Sequence, residues 1–166
     1  MQYEFVTHPF EPFYDANSEL LILGSFPSVK SREQKFYYGH PQNRFWKVLA
    51  GVYSDVIPKT VDEKKVFLQS HHIALYDVIA SCEIQGSSDS SIKNVIPTDL
   101  GIILAETKIS KIFVNGKKAQ ALYRRYQQQT TGRESVVLPS TSPANAACTL
   151  EHLIQIWGEN LLVAVC

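Results

Sequence analysis

The sequence has 166 residues, 45% of them hydrophobic, and its 16 basic and 16 acidic residues give a formal net charge of zero. This length and composition suit one globular domain, which we expect to span residues 1–166. The charge balance excludes a protein that coats DNA through charge alone, and no apolar run approaches the length of a membrane span. The first residues lack the pattern of a signal peptide, so we expect a soluble, monomeric, intracellular protein of the cytoplasm.

The spacing of cysteine and histidine argues against a metal centre. Cys82, Cys148 and Cys166 lie far apart and include no Cys-x-x-Cys pair. The adjacent His71 and His72 would point their side chains apart on either a helix or a strand. We therefore expect no metal, no cofactor and no disulfide framework.

Four short apolar runs do not alternate with polar residues, which predicts strands that are buried on both faces. In chain order these runs are Leu20–Leu23, Ile73–Tyr76, Lys111–Val114 and Ser135–Leu138. Helical spacing of apolar residues fills the intervals between them. The predicted helices run from Phe45 to Val52, from a Thr60 cap to about Gln69, from a Thr98 cap through Asp99 to about Thr107, from Lys117 to Gln129, and from Leu150 to Trp157.

The residues from Leu161 to Val165 fit either a final short strand or a packed tail. Alternation of strands and helices predicts an α/β fold of three layers, α/β/α, with a central four-stranded parallel sheet. The polar stretch from Ser81 to Ser91 is too short for a domain linker and is expected to be a loop.

In such a sheet the ligand site lies beyond the carboxyl ends of the strands. The first predicted strand ends near Gly24, and the hydroxyls of Ser28 and Ser31 beyond it are suited to hydrogen bonds with a phosphate. Their spacing matches neither a P-loop nor a dinucleotide-binding loop, so a plain turn is the simpler interpretation. The carboxylates near strand ends are Asp77 and, less directly, Asp89.

The segment from Phe36 to Trp46 holds five aromatic residues in eleven positions. Gly39 and Pro41 keep its first part out of a regular helix. An aromatic loop beside a strand end is suited to stacking against a base, although aromatic neighbours more often pack in a core.

The fourth predicted strand is followed by Ser140-Thr141-Ser142, which stands between two prolines. Such a stiff loop is suited to gripping phosphates with hydroxyls and amides while its tip enters a DNA groove. The alternative is a loop that merely leads to a helix cap.

Together these segments resemble the uracil-DNA glycosylase superfamily over nearly the whole chain. Pro41-Gln42-Asn43-Arg44-Phe45-Trp46-Lys47 is similar to a segment of its mismatch-specific members, while Gly24–Ser28 and Leu138–Pro143 take the places of its first and second motifs. Val114–Ala119 is similar to its third strand-to-helix junction. Gly-Ser-Phe-Pro-Ser followed by Tyr-Tyr-Gly-His-Pro-x-Asn-Arg-Phe-Trp most resembles the hypoxanthine (deoxyinosine) branch.

The resemblance implies a monofunctional DNA glycosylase that starts base excision repair, binds DNA with a deaminated base and acts at the nucleoid. Most superfamily members place an Asp or Asn where this chain has Phe26, and the deoxyinosine branch is understood to rely on the residue that is Asn43 here. We therefore expect Asn43 to be catalytic. The expected base-binding residues are Phe26, Tyr38, Gly39, Asp77 and Asn115, and the expected DNA-binding residues are Ser28, Ser31, Ser140, Thr141, Ser142, Pro143, Ala144 and Asn145.

Three alternatives stay open from the sequence. A uracil or thymine mismatch glycosylase fits the segment around Asn43, although Phe26 counts against it. A module that binds damaged DNA without cleaving it fits the lack of the usual acidic residue. An unrelated small-molecule enzyme with a doubly wound sheet rests on the fold alone and leaves the aromatic and Ser-Thr-Ser loops unexplained. For Asn43 itself, the alternative to catalysis is a role as the cap of the helix that it precedes, since Asn is a good N-cap residue.

Overall fold

The computed structural model describes residues 2–163. Its elements follow one another as β1 (Glu4–Thr7), β2 (Leu20–Gly24), α1 (Val29–Gln34), α2 (Phe45–Tyr53), α3 (Val61–Ser70), β3 (Ile73–Asp77), β4 (Ile79–Ile84), a 3-10 turn (Asp89–Ser91), β5 (Lys93–Pro97), α4 (Gly101–Glu106), β6 (Lys111–Asn115), α5 (Lys117–Tyr126), α6 (Gln128–Thr131), β7 (Ser135–Leu138) and α7 (Leu150–Leu161).

The four predicted strands form one parallel sheet in the order β3-β2-β6-β7, which confirms the predicted fold. Leu20 of β2 pairs with Ile73 on one side and with Lys111 on the other. Successive side chains of β2 point to opposite faces of the sheet. Leu20 and Ile22 therefore join a core beneath α2, α3 and α7, whereas the intervening leucines join a core beneath α4 and α5.

A second sheet, antiparallel and ordered β1-β4-β5, was not predicted. Glu4 of β1 pairs with Ile84 of β4, and both β1 and β5 are largely exposed. Their polar, solvent-facing residues gave no apolar pattern that a sequence rule recognises. The prediction of a loop from Ser81 onward is wrong for its first part, because Ser81–Ile84 belong to β4.

Four local predictions are corrected by the structure. Thr98 does not cap α4; its hydroxyl donates instead to the carbonyl oxygens of Asp77 and Val78, at 2.8 and 3.2 Å. The helix predicted over 117–129 breaks at Gln127. β7 is an edge strand whose outer residues are partly exposed, so it is not buried on both faces. No strand forms at Leu161, which ends α7, and the rest of that predicted tail beyond residue 163 lies outside the described residues.

Trp157 of α7 ties the helical layer to the end of the sheet. Its side chain is fully buried against Phe45 of α2, with ring centroids 5.8 Å apart. Its indole N–H donates to the carbonyl oxygen of Pro139 at 2.9 Å, directly after β7. This contact fixes where the loop after β7 begins.

We predict that Trp157→Phe lowers the free energy of unfolding by about 1–3 kcal/mol, because it leaves the Pro139 carbonyl without its donor and the core underfilled. Urea denaturation followed by circular dichroism measures the change. Val66→Ala, at a 60% exposed position of α3, is the control and should stay within about 0.5 kcal/mol of the parent. Equal stability of the two variants would contradict the anchoring role of Trp157.

Candidate active site

One cavity of about 510 Å³ opens beyond the carboxyl ends of all four parallel strands, where an α/β sheet is expected to hold its ligand. Residues from the ends of β2, β3 and β6 and from the loop after β7 line it. The full lining is Gly24, Ser25, Phe26, Pro27, Ser28, Ser31, Tyr37, Tyr38, His40, Asn43, Asp77, Ser87, Ser88, Asp89, Ser90, Asn115, Ser140, Thr141, Ser142, Pro143 and Ala144.

Tyr38 lines the cavity from a strained backbone position. Its φ is 54°, in the left-handed region that bulky residues rarely adopt and that costs of order 1–3 kcal/mol. Its ring stacks on Phe45, with centroids 3.8 Å apart and planes 18° apart. Burial raises the pKa of its phenol and the charge of Asp77 adds to this effect, so the hydroxyl remains protonated. The core thus holds one aromatic ring rigidly at the cavity wall.

The floor of the cavity is formed by Gly24 and Asp77. A Cβ atom on Gly24 would lie 2.6 Å from Oδ1 of Asp77 and 3.2 Å from the Tyr38 hydroxyl, so only glycine leaves room for both groups. The other carboxylate oxygen, Oδ2, lies 2.8 Å from Nε2 of His8. Both side chains of this pair are buried, and His8 was not predicted from the sequence. Oδ1 of Asp77, the oxygen that His8 does not hold, lies against Gly24.

Asn43 is oriented by a chain of hydrogen bonds that crosses the site. Its Oδ1 accepts from the backbone N–H of Phe45 at 3.0 Å and from the Thr141 hydroxyl at 2.8 Å. A backbone N–H can only donate, so Oδ1 must be the atom facing Phe45. Within residues 2–163, no protein acceptor takes a hydrogen bond from Nδ2 of Asn43, and the amide N–H group is therefore the end that remains available to the cavity.

Asn115 holds the far end of this chain. Its Nδ2 donates to the Thr141 hydroxyl at 3.0 Å, and its Oδ1 accepts from the Thr141 backbone N–H at 3.1 Å. Thr141 is fully buried. Both polar ends of Asn115 and the hydroxyl of Thr141 are therefore occupied within the protein. In this structure the two residues position Asn43, whereas the sequence led us to expect Asn115 at the base and Thr141 at a phosphate.

The residue next to Asn43 fastens the loop after β7, and sequence reasoning missed it. The guanidinium group of Arg44 donates to the carbonyl oxygens of Cys148, Ser142 and Asn145, the last at 2.9 Å. The Arg44 backbone N–H also donates to the Thr141 carbonyl at 3.0 Å. The local sequence around Arg44 gives no signal of this contact, because the carbonyl groups that Arg44 binds lie about a hundred positions away in the chain.

Three residues expected at the ligand have mainly local roles. Ser28 caps α1 by accepting from the Ser31 N–H at 3.2 Å. Ser31 is 2% exposed, and its Oγ accepts from the Gly39 N–H at 2.9 Å. Gly39 is not among the residues that line the cavity, and its expected contact with the base stays a prediction. It places Tyr38 and His40, its two neighbours, at the wall.

The remaining predicted residues divide by exposure. Pro143 and Ala144 are exposed at the tip of the loop after β7, and Ser140 and Ser142 line the cavity below them. Asn145 uses its Nδ2 to donate to the Ser140 carbonyl at 3.0 Å, which shapes the loop from within. Phe26 is buried at the wall, in edge contact with His8 at a centroid separation of 5.9 Å.

Asp89 is the second carboxylate of the cavity. Its Oδ1 accepts from the Ser25 hydroxyl at 2.9 Å. Although Asp89 keeps exposed surface, the protein around its carboxyl group removes water and raises its pKa, an effect that Ser25 and Lys118 partly oppose. Among residues 2–163, no group of three or more metal-binding side chains comes together, and no helix is long and apolar enough to cross a membrane.

We predict that Thr141→Val, which keeps the shape of the side chain, lowers the free energy of unfolding by about 1–3 kcal/mol. The substitution leaves Oδ1 of Asn43 and Nδ2 of Asn115 without their shared hydroxyl partner. Thermal or urea unfolding measures the loss. Thr130→Val, at an exposed position of α6, is the matched control; equal stability of the two variants would show that the chain of hydrogen bonds carries no free energy.

Comparison with known proteins places this geometry in a family. Residues 11–159 match the family model described as the uracil DNA glycosylase superfamily. A protein of Methanosarcina acetivorans named hypoxanthine DNA glycosylase is 36% identical over 141 residues, covering 82% of this chain and 86% of that protein. A protein of the same name from Methanosarcina barkeri is 31% identical over 140 residues, with the same coverage of each.

A solved structure shares the fold over the whole chain. It is a solution NMR structure of a Methanosarcina acetivorans protein provisionally described as a uracil DNA glycosylase, with a TM-score of 0.82 and 29% sequence identity. The superposition covers 98% of this chain and 100% of that one. The cavity at the strand ends, the sheet order and these matches agree, and the chain belongs to the uracil DNA glycosylase superfamily.

Proposed function

We propose that this protein is a monofunctional DNA glycosylase that flips hypoxanthine out of DNA and hydrolyses its N-glycosidic bond. Family membership and the names of the two Methanosarcina relatives support the reaction and the substrate. The observation that carries the proposal is the amide of Asn43, which is fixed by Thr141 and Phe45 so that its N–H group faces the cavity. We also propose that the protein acts as a monomer.

The base must leave the helical stack before its glycosidic bond is accessible. Flipping costs a few kcal/mol, and less for a poorly paired base such as hypoxanthine opposite thymine. The cavity of about 510 Å³ is within the usual range for a small-molecule site. The ring of Tyr38, held by Phe45, offers a flat surface for the extruded base, and Phe26 supplies apolar wall.

Asn43 would stabilise the departing purine. Bond cleavage leaves an electron-rich base and an oxocarbenium-like sugar, so a fixed donor at the base is worth more in the transition state than in the ground state. The Oδ1 atom of Asn43 already accepts two hydrogen bonds, which leaves donation from Nδ2 as the role of this side chain. This assignment makes Asn43 a ligand of the leaving group and not an acceptor for water.

Asp77 would recognise what deamination changes in the base. Deamination of adenine converts N1 from a hydrogen-bond acceptor into an N–H donor. An ionised carboxylate is purely an acceptor, so Oδ1 of Asp77 at the floor would favour hypoxanthine and repel the N1 lone pair of adenine. The buried contact with His8 fixes the direction of the carboxylate.

The DNA backbone would lie across the rim of the cavity. Ser140 and Ser142 stand at this rim with hydroxyls suited to phosphate contacts, and Pro143 and Ala144 form the exposed tip that would fill the space left by the flipped nucleotide. No lysine is among the described residues that line the cavity, so we propose no Schiff-base step and no lyase activity.

The direct test is base release from matched duplexes that carry deoxyinosine, uracil, or thymine opposite guanine. With enzyme in excess, we expect hypoxanthine to be released fastest and the strand to break only after alkali, since no lyase step occurs. Faster release of uracil or thymine would contradict hypoxanthine as the preferred substrate and identify the faster-released base instead. Binding of the deoxyinosine duplex without any abasic product would identify a non-catalytic reader of damage.

The role of Asn43 is tested by comparing Asn43→Asp with Asn43→Ala. The aspartate retains an oxygen for Phe45 and Thr141 but replaces the cavity-facing donor with an acceptor. We expect both variants to lose about 100-fold or more in single-turnover rate, with Asn43→Asp the more stably folded of the two. Retained or increased excision by Asn43→Asp would show that Asn43 orients water, and near-normal excision by Asn43→Ala would reduce it to a helix cap.

A further inference from the structure

We propose that Asp89 is the catalytic base of this site: it takes the proton of the water that attacks the sugar. The inference rests on the proposed glycosylase function and adds the residue that activates the second reactant. It is supported by which hydrogen-bond acceptors of the cavity are already occupied by protein donors and which are not.

Hydrolysis requires an acceptor that is still available for a water proton. Oδ1 of Asn43 is occupied by Phe45 and Thr141, and Asn115 is occupied at both ends by Thr141. Nδ1 of His40 accepts from the Gln42 N–H at 3.1 Å, so the neutral ring carries its proton on Nε2 and presents a donor. These three polar side chains of the wall therefore leave no basic atom for water.

The two carboxylates of the lining differ in depth and in partners. Asp77 is 4% exposed on the floor, beside Gly24 and Tyr38, and one of its oxygens is held by His8. A proton acceptor on the floor would face the flipped nucleobase and not the attacking water. Asp89 keeps exposed surface at the rim, where the sugar of a flipped nucleotide would meet solvent, and its Oδ2 accepts no hydrogen bond from residues 2–163.

The loop that carries Asp89 is pinned at several points. The Ser87 hydroxyl accepts from the Val29 N–H at 2.9 Å, and the Arg32 guanidinium donates to the Gly86 carbonyl at 3.0 Å. Ser91 is 9% exposed and donates to the Ser88 carbonyl at 2.7 Å. Ser25, directly after β2, holds Oδ1 of Asp89 at 2.9 Å. These contacts position one carboxylate oxygen while leaving the other for a ligand, which is the preorganisation that a general base needs.

Burial makes the carboxylate of Asp89 more basic than a solvated one. Burial is the main cause of its raised pKa, and the negative charge of Asp77 acts in the same direction. Lys118 at the start of α5 and the Ser25 hydroxyl oppose the shift, which keeps the ionised form accessible. The other ionisable groups that interact with Asp89 are Tyr38 and Cys82, and the pKa of each is raised, so both are neutral partners.

The step balances with water as the second reactant. The C1′–N9 bond breaks and its electron pair leaves with the purine, which Asn43 stabilises by donation. The water oxygen forms the new bond to C1′ and gives one proton to Asp89. That proton then passes through solvent to the purine, so the products are neutral hypoxanthine and an abasic sugar, and Asp89 returns to its ionised form.

Asp89→Asn is the decisive variant because it keeps the shape and the Ser25 contact while removing the basic site. Under single-turnover conditions with the deoxyinosine duplex, we expect its excision rate to fall by about 100-fold or more. Asp89→Glu, which restores a carboxylate, should recover part of that rate. Asp62→Asn, at an exposed position of α3, removes the same charge far from the cavity and should excise at the parental rate.

The pH profile separates a base from a structural residue. Because the pKa of Asp89 is raised, the parental rate should fall with acidification at a higher pH than it would for a solvated carboxylate, and this fall should be absent in Asp89→Asn. Binding to a duplex with a cleavage-resistant 2′-fluorinated deoxyinosine analogue should be equal or tighter in the variant, since one negative charge leaves the DNA-facing rim.

The outcomes distinguish the two levels of the proposal. Parental protein that releases no base from any lesion overturns the glycosylase function and, with it, this role. An active parent accompanied by an Asp89→Asn variant with unchanged rate and pH profile overturns the role of Asp89 alone. Loss of rate together with loss of analogue binding also overturns it, because the carboxylate would then serve binding.

Discussion

The site depends on one hydrogen-bonded chain, which runs from Asn115 through Thr141 to Asn43 and ends on the first turn of α2. It links the end of β6, the loop after β7 and the start of a helix from the opposite layer. Within residues 2–163, each polar atom in it has a partner except the amide N–H of Asn43. In a buried setting a fully paired network is rigid, and a partly paired one is costly. The Nδ2 amide of Asn43 is therefore oriented by the folded protein, and the free-energy cost of ordering it is met during folding, before any ligand binds.

Aromatic packing likewise holds one wall of the cavity in place before a ligand binds. Tyr38 keeps an unfavourable backbone conformation because Phe45 covers one face of its ring and Gly24 leaves room for its hydroxyl. Phe45 in turn rests on Trp157, whose indole holds the backbone at Pro139. Strain at the wall is thus offset by packing beneath it, as is common where a protein must present a rigid surface.

Two carboxylates at different depths give the cavity two kinds of acceptor. Asp77 is bound to His8 on the floor, and Asp89 is bound to Ser25 at the rim. A carboxylate can therefore face the nucleobase at Asp77 and water at Asp89, because the two sites differ in burial and in the residue that holds one of the two carboxylate oxygens. Neither carboxylate stands where Phe26 replaces the acid or amide found in most superfamily members.

The sequence predicted the parallel sheet, most of its flanking helices and the family, because apolar runs and the motifs around Phe26, Asn43 and Ser140 are local patterns. It also identified Asn43 and Tyr38 as residues of one site, since both stand in a single aromatic segment beside a strand end. The packed fold alone shows that Thr141 and Asn115 act on Asn43, that Arg44 closes the loop after β7, and that His8 holds Asp77. These contacts could not be predicted because each joins residues 26 to 104 positions apart along the chain, and the packing of the layers sets which residues meet.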